Sequence, residues 1–102
     1  MKTKSFQNYL EKRLDKKEIL ELEKQARLEK KALQNLQSDI SKVVADYMDQ
    51  ENIGFNELVR RLGSSPAQVA KIQKGEANLT VASLAHIFAL LKKQPHITVA
   101  AY

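Results

Sequence analysis

The first half of the chain carries one long pattern of apolar positions, separated alternately by three and four residues. The pattern comprises Ile19, Leu22, Ala26, Leu33, Leu36, Ile40, Val43 and Tyr47, with Glu29 as a polar interruption. This spacing is typical of a helix whose apolar seam faces another helix. Asp15 and Glu18 have the spacing of a capping box just before it. No glycine or proline occurs before Gly54, so the sequence predicts a long helix.

Two features suggest that this helix is subdivided. Ser38 and Asp39 have side chains that can cap a new helix, which predicts a bend or short break there. The expected organisation is therefore an N-terminal helical arm over residues 1–37, in which residues 5–14 form a short helix or irregular segment, and a domain over residues 38–102. The apolar seam has two interpretations, which the sequence leaves open. The helix lies on its own domain, or it pairs with a second copy or a partner protein.

Two short helices are predicted in the middle of the chain. Residues 55–62 place Leu58, Val59 and Leu62 on one side, and Gly63 follows where a left-handed helix stop is needed. Ser65 then has the character of a helix cap, with proline at the next position. A glycine at position 75 ends the second helix. Two short helices joined by such a turn indicate a helix-turn-helix unit.

The second short helix has an outer side that packing does not require. Val69 and Ile72 are expected to face inward, and the residues left outside are Pro66, Ala67, Gln68, Lys71 and Lys74. A glutamine can make a two-point contact with adenine, and a lysine can donate to guanine or phosphate, so this side suits the major groove of DNA. The alternative interpretation is an ordinary solvated face.

The last third of the chain predicts one more helix and one strand. Thr80 caps a segment, TVASLAHIFALLKK, that is apolar nearly all round, which predicts a buried central helix. Within it, His86 is expected at the edge of the core rather than as a ligand. Apolar residues alternate from Ile97 to Tyr102, which predicts a short strand that must pair with a second copy or another protein.

Composition narrows the functional classes. The 102 residues carry a net charge of +5 and a pI near 9.5, which permits a polyanionic partner. No cysteine is present, and no carboxylate pair, glycine-rich loop or metal-ligand cluster has catalytic spacing. We therefore expect no enzyme activity, no cofactor and no metal. No segment has the apolar length of a membrane span, and we expect a cytoplasmic protein.

The stretch FNELVRRLGSSPAQVAKIQKGEANLTVASLAHI resembles the Cro/lambda-repressor-like (XRE) helix-turn-helix family. The resemblance covers about residues 39–92, and the matching features are Glu57-Leu58, Leu62-Gly63, Ser65, Val69, Ile72, Gly75 and the apolar helix after Thr80. It implies an all-α, lambda-repressor-like domain that binds double-stranded operator DNA as a dimer, here with a helical arm and a terminal strand. Phe55 departs from the glutamine that the family often has there to support a phosphate contact.

The resemblance also implies candidate DNA-binding residues, which are Arg60, Arg61, Ser65, Pro66, Ala67, Gln68, Lys71, Lys74 and Asn78. Asn78 has the alternative of simply forming a turn. The order of arm, domain and strand is similar to HigA-like antitoxins, which neutralise a RelE/HigB-like toxin and repress their own operon. In that case the toxin would bind the arm residues Ile19, Leu22, Ala26 and Leu33. Two alternatives are a stand-alone regulator without a toxin, and a pure protein-interaction module.

Overall fold

The computed structural model of the chain describes residues 16–101, which are all-α. The four helices in this part are α1 (Lys16–Glu51), α2 (Phe55–Leu62), α3 (Pro66–Lys74) and α4 (Val81–Leu91). The predicted segment at residues 5–14 and the predicted cap Asp15 lie outside the described residues. None of the four helices is long and apolar enough to cross a bilayer.

The chain divides into two compact units between Leu33 and Gln34. The described part of the first unit is the beginning of α1. The second unit contains the rest of α1 and the other three helices.

Helix α1 has no break at Ser38 and Asp39, so of the predicted bend or short break the break is absent. The helix runs without interruption over 36 residues, from Lys16 to Glu51. Neither Ser38 nor Asp39 removes a backbone donor or requires a left-handed backbone, so their capping tendency does not end a helix by itself. The residues that follow also favour continuation, because Val44 and Tyr47 are buried in the core of the second unit.

The predicted ends of α2 and α3 are confirmed. Gly63 ends α2 with a left-handed φ of 63°, and its N–H donates to the carbonyl oxygen of Val59 over 3.0 Å. Ser65 begins α3 by accepting a 3.2 Å hydrogen bond at its hydroxyl from the backbone N–H of Gln68. Gly75 ends α3 with a φ of 71°. Left-handed backbone is readily available to glycine, so both stops are set by local chemistry.

One apolar core holds the helices of the second unit together. The fully buried side chains are Leu58, Leu62, Ile72, Val44 and Val69, with Tyr47, Ala77, Ile87 and Leu91 completing the cluster. Helix α2 contacts both α3 and α4. Burying each large aliphatic side chain contributes about 1.5–3 kcal/mol relative to leaving it in water. The inward positions predicted for Leu58, Leu62, Val69 and Ile72 are confirmed.

Helix α4 begins as predicted but is not a buried central helix. The Thr80 hydroxyl accepts a 3.1 Å hydrogen bond from the backbone N–H of Ser83, which confirms the cap. Only Ile87 and Leu91 are buried, whereas Val81 is 82 % exposed. The described chain covers one side of α4 and supplies no element for the other, so an almost wholly apolar sequence remains half open to solvent.

Residues 93–101 have no helix or strand. The predicted terminal strand is therefore not confirmed. Ile97 and Val99 are 86 % and 84 % exposed, and Tyr102 lies outside the described residues. A strand requires a second strand for its backbone hydrogen bonds, and the described residues contain none.

Candidate nucleic-acid interface

Helix α3 is fastened to α1 at its C-terminal end. The Ser41 hydroxyl donates a 2.6 Å hydrogen bond to the carbonyl oxygen of Gln73. The side-chain amide of Gln37 donates to the carbonyl oxygen of Ala77 over 2.9 Å. Carbonyl groups in the last turn of a helix have no partner within the helix, so Ser41 satisfies a group in that turn that would otherwise need water. Gln37 holds the loop that follows α3. The C-terminal end of α3 is thereby held against α1.

The outer side of α3 presents the side chains that the sequence predicted there. Pro66, Ala67, Lys71 and Lys74 are exposed. Gln68 is half-buried, and among the described residues its side-chain amide makes no hydrogen bond. This side of the helix thus shows the Gln68 amide and the amines of Lys71 and Lys74.

A shallow cleft lies beside Gln68. It has a volume of about 350 Å³ and is lined by Ser64, Gln68, Ile72, Leu79, Ala82, Ser83, His86 and Ile87. His86, which the sequence placed at the core edge, is exposed at this cleft. Gln68 belongs to α3 and His86 to α4, so no spacing along the sequence indicates that these two side chains line the same cleft. The cleft therefore adds His86 and Ser83 to the neighbourhood of the first turn of α3.

Arg61 is held by three side chains of its own chain. Its Nη1 donates to the Tyr47 hydroxyl over 3.0 Å and to Glu51 Oε1 over 3.1 Å, and its Nε donates to Glu57 Oε1 over 3.0 Å. The guanidinium carbon also lies 6.0 Å from the centroid of the Tyr47 ring. The hydrogen bonds that Arg61 donates to Tyr47 and then to Glu57 raise the pKa of Arg61. This geometry favours a structural role for Arg61 over the predicted phosphate contact.

Arg60 is more accessible than Arg61. Its side chain is 74 % exposed, against 34 % for Arg61. It forms an ion pair with Glu57, in which Arg60 Nε lies 2.9 Å from Oε2. The hydrogen bonds from Arg60 and then Arg61 lower the pKa of Glu57 to about 2. An exposed ion pair of this kind is weak, so an anionic ligand could replace the carboxylate at Arg60.

Asn78 lies just beyond α3 and is exposed. Its Oδ1 accepts a 3.3 Å hydrogen bond from Nε2 of Gln37. The same nitrogen also donates to the carbonyl oxygen of Ala77, so Asn78 shares the fastening between the end of α3 and α1. Its amide nitrogen is free to contact an anion, as far as the described residues show.

The structure therefore divides the predicted DNA-binding residues into two sets. One set lies on or next to the outer side of α3 and consists of Pro66, Ala67, Gln68, Lys71, Lys74 and Asn78. In the other set, Ser65 and Arg61 are engaged in structural hydrogen bonds, and Arg60 is paired but exposed. The fastening residues Gln37 and Ser41 were missed by the sequence analysis, because their partners lie 40 and 32 residues away along the chain.

The predicted partner-binding residues belong to the first unit. Leu22 and Leu33 are 52 % and 45 % exposed, Ala26 is exposed, and Ile19 is half-buried.

Comparison of the chain with known proteins found no matching family model, no matching curated protein and no matching solved structure.

Proposed function

We propose that this chain is a sequence-specific DNA-binding repressor, with α2 and α3 as its helix-turn-helix and α3 as its recognition helix. The observation that carries this proposal is the combination of fixed ends and a polar outer side in α3. Glycine and serine caps set its length, and Ser41 holds its last turn. A helix held in this way can present side chains to base edges without first becoming ordered.

The residues of α3 have complementary roles in this proposal. Gln68 has a free side-chain amide near the first turn, which suits a two-point contact with the N6 and N7 atoms of adenine. Lys71 donates to guanine or to phosphate, and Lys74 to phosphate. Pro66 and Ala67 offer apolar contact with a thymine methyl group. Arg60 and Asn78 contribute phosphate contacts beside the helix, which add affinity without sequence information.

A DNA-binding unit of this size fits one half-site, so we propose that the active form is a homodimer on a palindromic operator. The terminal residues 97–102 are candidates for strand pairing between the two copies. Their exposed Ile97 and Val99 are consistent with such pairing. A cytoplasmic location follows from the proposed binding of operator DNA.

The exposed arm supports a second, more specific proposal. Leu22 and Leu33 are aliphatic and open to solvent, which favours contact with a protein. In a type II toxin–antitoxin system, the four residues Ile19, Leu22, Ala26 and Leu33 would hold a RelE/HigB-like toxin, and the chain would repress its own operon. The alternative is a stand-alone regulator of the XRE type whose arm serves only to join two copies.

The test of DNA recognition is a matched pair of glutamine variants. The preferred duplex is first selected from a random library, and the affinities for it and for random DNA are then measured by fluorescence anisotropy. Gln68→Ala is expected to lower the preference for the selected duplex by about 1–3 kcal/mol. Gln73→Ala, an exposed glutamine in the same helix, is the control and should preserve that preference.

Two results would count against the proposal. Equal losses of Gln68→Ala on selected and random DNA would remove Gln68 as a base reader. An affinity that is undetectable or independent of salt would reject DNA binding altogether, because each neutralised phosphate contributes roughly −0.9 to the slope of log affinity against log salt. The chain would then be better described as a protein-interaction module. Copurification from the native cell, followed by mass identification, tests for a toxin.

A further inference from the structure

The arm of α1 presents a surface that is complementary to itself. We call the residues Ile19, Leu22, Ala26, Glu29 and Leu33 the arm seam. They follow the alternating three- and four-residue spacing of a coiled coil. Apart from the half-buried Ile19, all are exposed, and Leu22 and Leu33 leave 52 % and 45 % of their surface in water. The chemistry of this seam indicates which occupant covers it.

Glu29 disfavours the simplest pairing, in which two copies lie parallel and in register. Each seam residue would then face its own counterpart, so the two Glu29 carboxylates would meet in a central layer. Two like charges brought together away from water are destabilising. The seam itself supplies no compensating cation, because its other residues are Ile19, Leu22, Ala26 and Leu33.

An antiparallel pair removes this conflict in one register. When Leu22 faces Leu33 of the second copy, Ala26 faces Glu29 of the second copy, and the two-fold axis repeats both layers. The small alanine leaves room for the glutamate stem to lie along it while the carboxylate reaches water. Large aliphatic residues thus meet each other, and the acidic residue meets the smallest residue of the seam.

The residues that flank the seam select the same register. In an antiparallel pair, Glu23 lies closest to Lys30 of the second copy, and two such pairs form by symmetry. Both side chains are exposed. Sliding the copies by seven residues in one direction sets Glu23 against Glu23, and in the other direction sets Lys30 against Lys30. These shifts also place Glu29 against Ile19 or Leu33. Packing and charge therefore agree on one arrangement.

We propose that the arm seam binds a second copy of this chain in an antiparallel orientation, with Leu22 facing Leu33 and Glu23 pairing with Lys30. The inference goes beyond the proposed repressor function and does not depend on DNA binding. It also has a consequence for the toxin proposal. A toxin that used Leu22 and Leu33 would have to displace the second copy.

Charge reversal tests the flanking pair. The dimerisation constant of the full chain is measured by sedimentation equilibrium in low salt. Glu23→Lys sets two lysines against each other, and Lys30→Glu sets two glutamates against each other, so each should weaken the dimer roughly tenfold through two symmetry-related pairs. The double variant Glu23→Lys/Lys30→Glu should recover the original constant. Glu21→Lys and Lys24→Glu are the controls, since they make the same charge changes at exposed positions outside the seam.

Disulfide trapping tests the relative orientation of the two arm helices. The sequence contains no native cysteine, so only the introduced cysteines can form a disulfide. Chains with Leu22→Cys and chains with Leu33→Cys are oxidised separately and after mixing, with helix content checked by circular dichroism. The antiparallel pair predicts cross-linked dimers in the mixture and very few in either separate sample.

Three outcomes would overturn the proposal: a wild-type chain that is monomeric, a dimer that is indifferent to both charge reversals, or efficient cross-linking of either cysteine variant alone. The first two would assign the seam to another occupant, such as a different protein or the N-terminal residues 1–15. The third would establish a parallel pair. DNA affinity of the same variants is measured separately, so failure of this proposal is distinguishable from failure of the repressor proposal.

Discussion

The Ser41 hydroxyl on α1 lies 2.6 Å from the backbone carbonyl oxygen of Gln73 on α3 and donates a hydrogen bond to it. Ser41 is half-buried, between the half-buried Ile40 and the exposed Lys42. The bond joins segments 32 residues apart. It couples the orientation of the proposed recognition helix to the long helix that enters the second unit.

Removing this bond should loosen α3 without unfolding the domain. Ser41→Ala is expected to lower the free energy of unfolding by about 0.5–1.5 kcal/mol, the typical net contribution of one hydrogen bond. Urea denaturation measures the change. Ser38→Ala, at an exposed serine on the same helix, is the control and should alter stability by less. Equal effects of the two variants would contradict the assigned role of Ser41.

The two adjacent arginines should respond differently to truncation. Arg61→Ala removes hydrogen bonds to Tyr47, Glu51 and Glu57, so it should lower the thermal unfolding midpoint more than Arg60→Ala does. Arg60→Ala should instead reduce the salt slope of DNA binding by about one, the value for one lost phosphate contact. If Arg61→Ala reduced the salt slope and Arg60→Ala lowered the unfolding midpoint more, Arg61 would be favoured as the phosphate contact.

The ion pairs of Glu57 should make stability depend on pH. The folded protein holds the pKa of Glu57 at about 2, below its ordinary value of 4.5. Because the folded-state pKa is lowered, the contribution is fully present above pH 4.5 and is lost as the pH falls towards 2. Unfolding free energies across this range should therefore fall less steeply for Glu57→Gln than for the wild type. Parallel pH profiles would contradict this prediction.

The turn between α2 and α3 should require glycine for its backbone alone. A Cβ added at Gly63 would meet nothing within 4 Å, but the φ of 63° is unfavourable for other residues. Gly63→Ala is therefore expected to cost roughly 1 kcal/mol of unfolding free energy. Gly54→Ala is the control at a glycine with a φ of −96° and open surroundings. Gly54 is the N-cap of α2, so this control should have a smaller cost of its own. Chemical denaturation of the pair separates the strain of a left-handed backbone from the general effect of replacing glycine with alanine.

Local signals in the sequence predicted the helix ends well, and distant contacts could not be predicted. Gly63, Ser65 and Gly75 act on backbone groups within a few residues, so their effect follows from nearby chemistry. The fastening by Ser41 depends on which carbonyl group the folded chain brings near, and no local pattern specifies that. The same limitation applies to Arg61, whose partners Tyr47 and Glu51 lie 14 and 10 residues away, so the sequence did not indicate these contacts.

The apolar patterns predicted which side of a helix packs inward, but not how much of a helix the other helices cover. The pattern around Val69 and Ile72 correctly predicted which side of α3 packs inward. In α4, nearly every position is apolar, so periodicity could not show that Val81 faces solvent while Ile87 is buried. Ser38 and Asp39 have a capping tendency, but the core contacts of the residues that follow keep α1 continuous.

The residues that begin and end helix α3, Ser65 and Gly75, lie outside the stretch that presents side chains to solvent. Substitutions at Gln68, Lys71 or Lys74 therefore leave both termini, and so the length of the helix, unaltered. These three side chains can therefore be substituted, in evolution or by design, while the backbone of the helix stays the same. Such a division makes it simple to generate a panel of variants with new ligand preferences and one shared architecture.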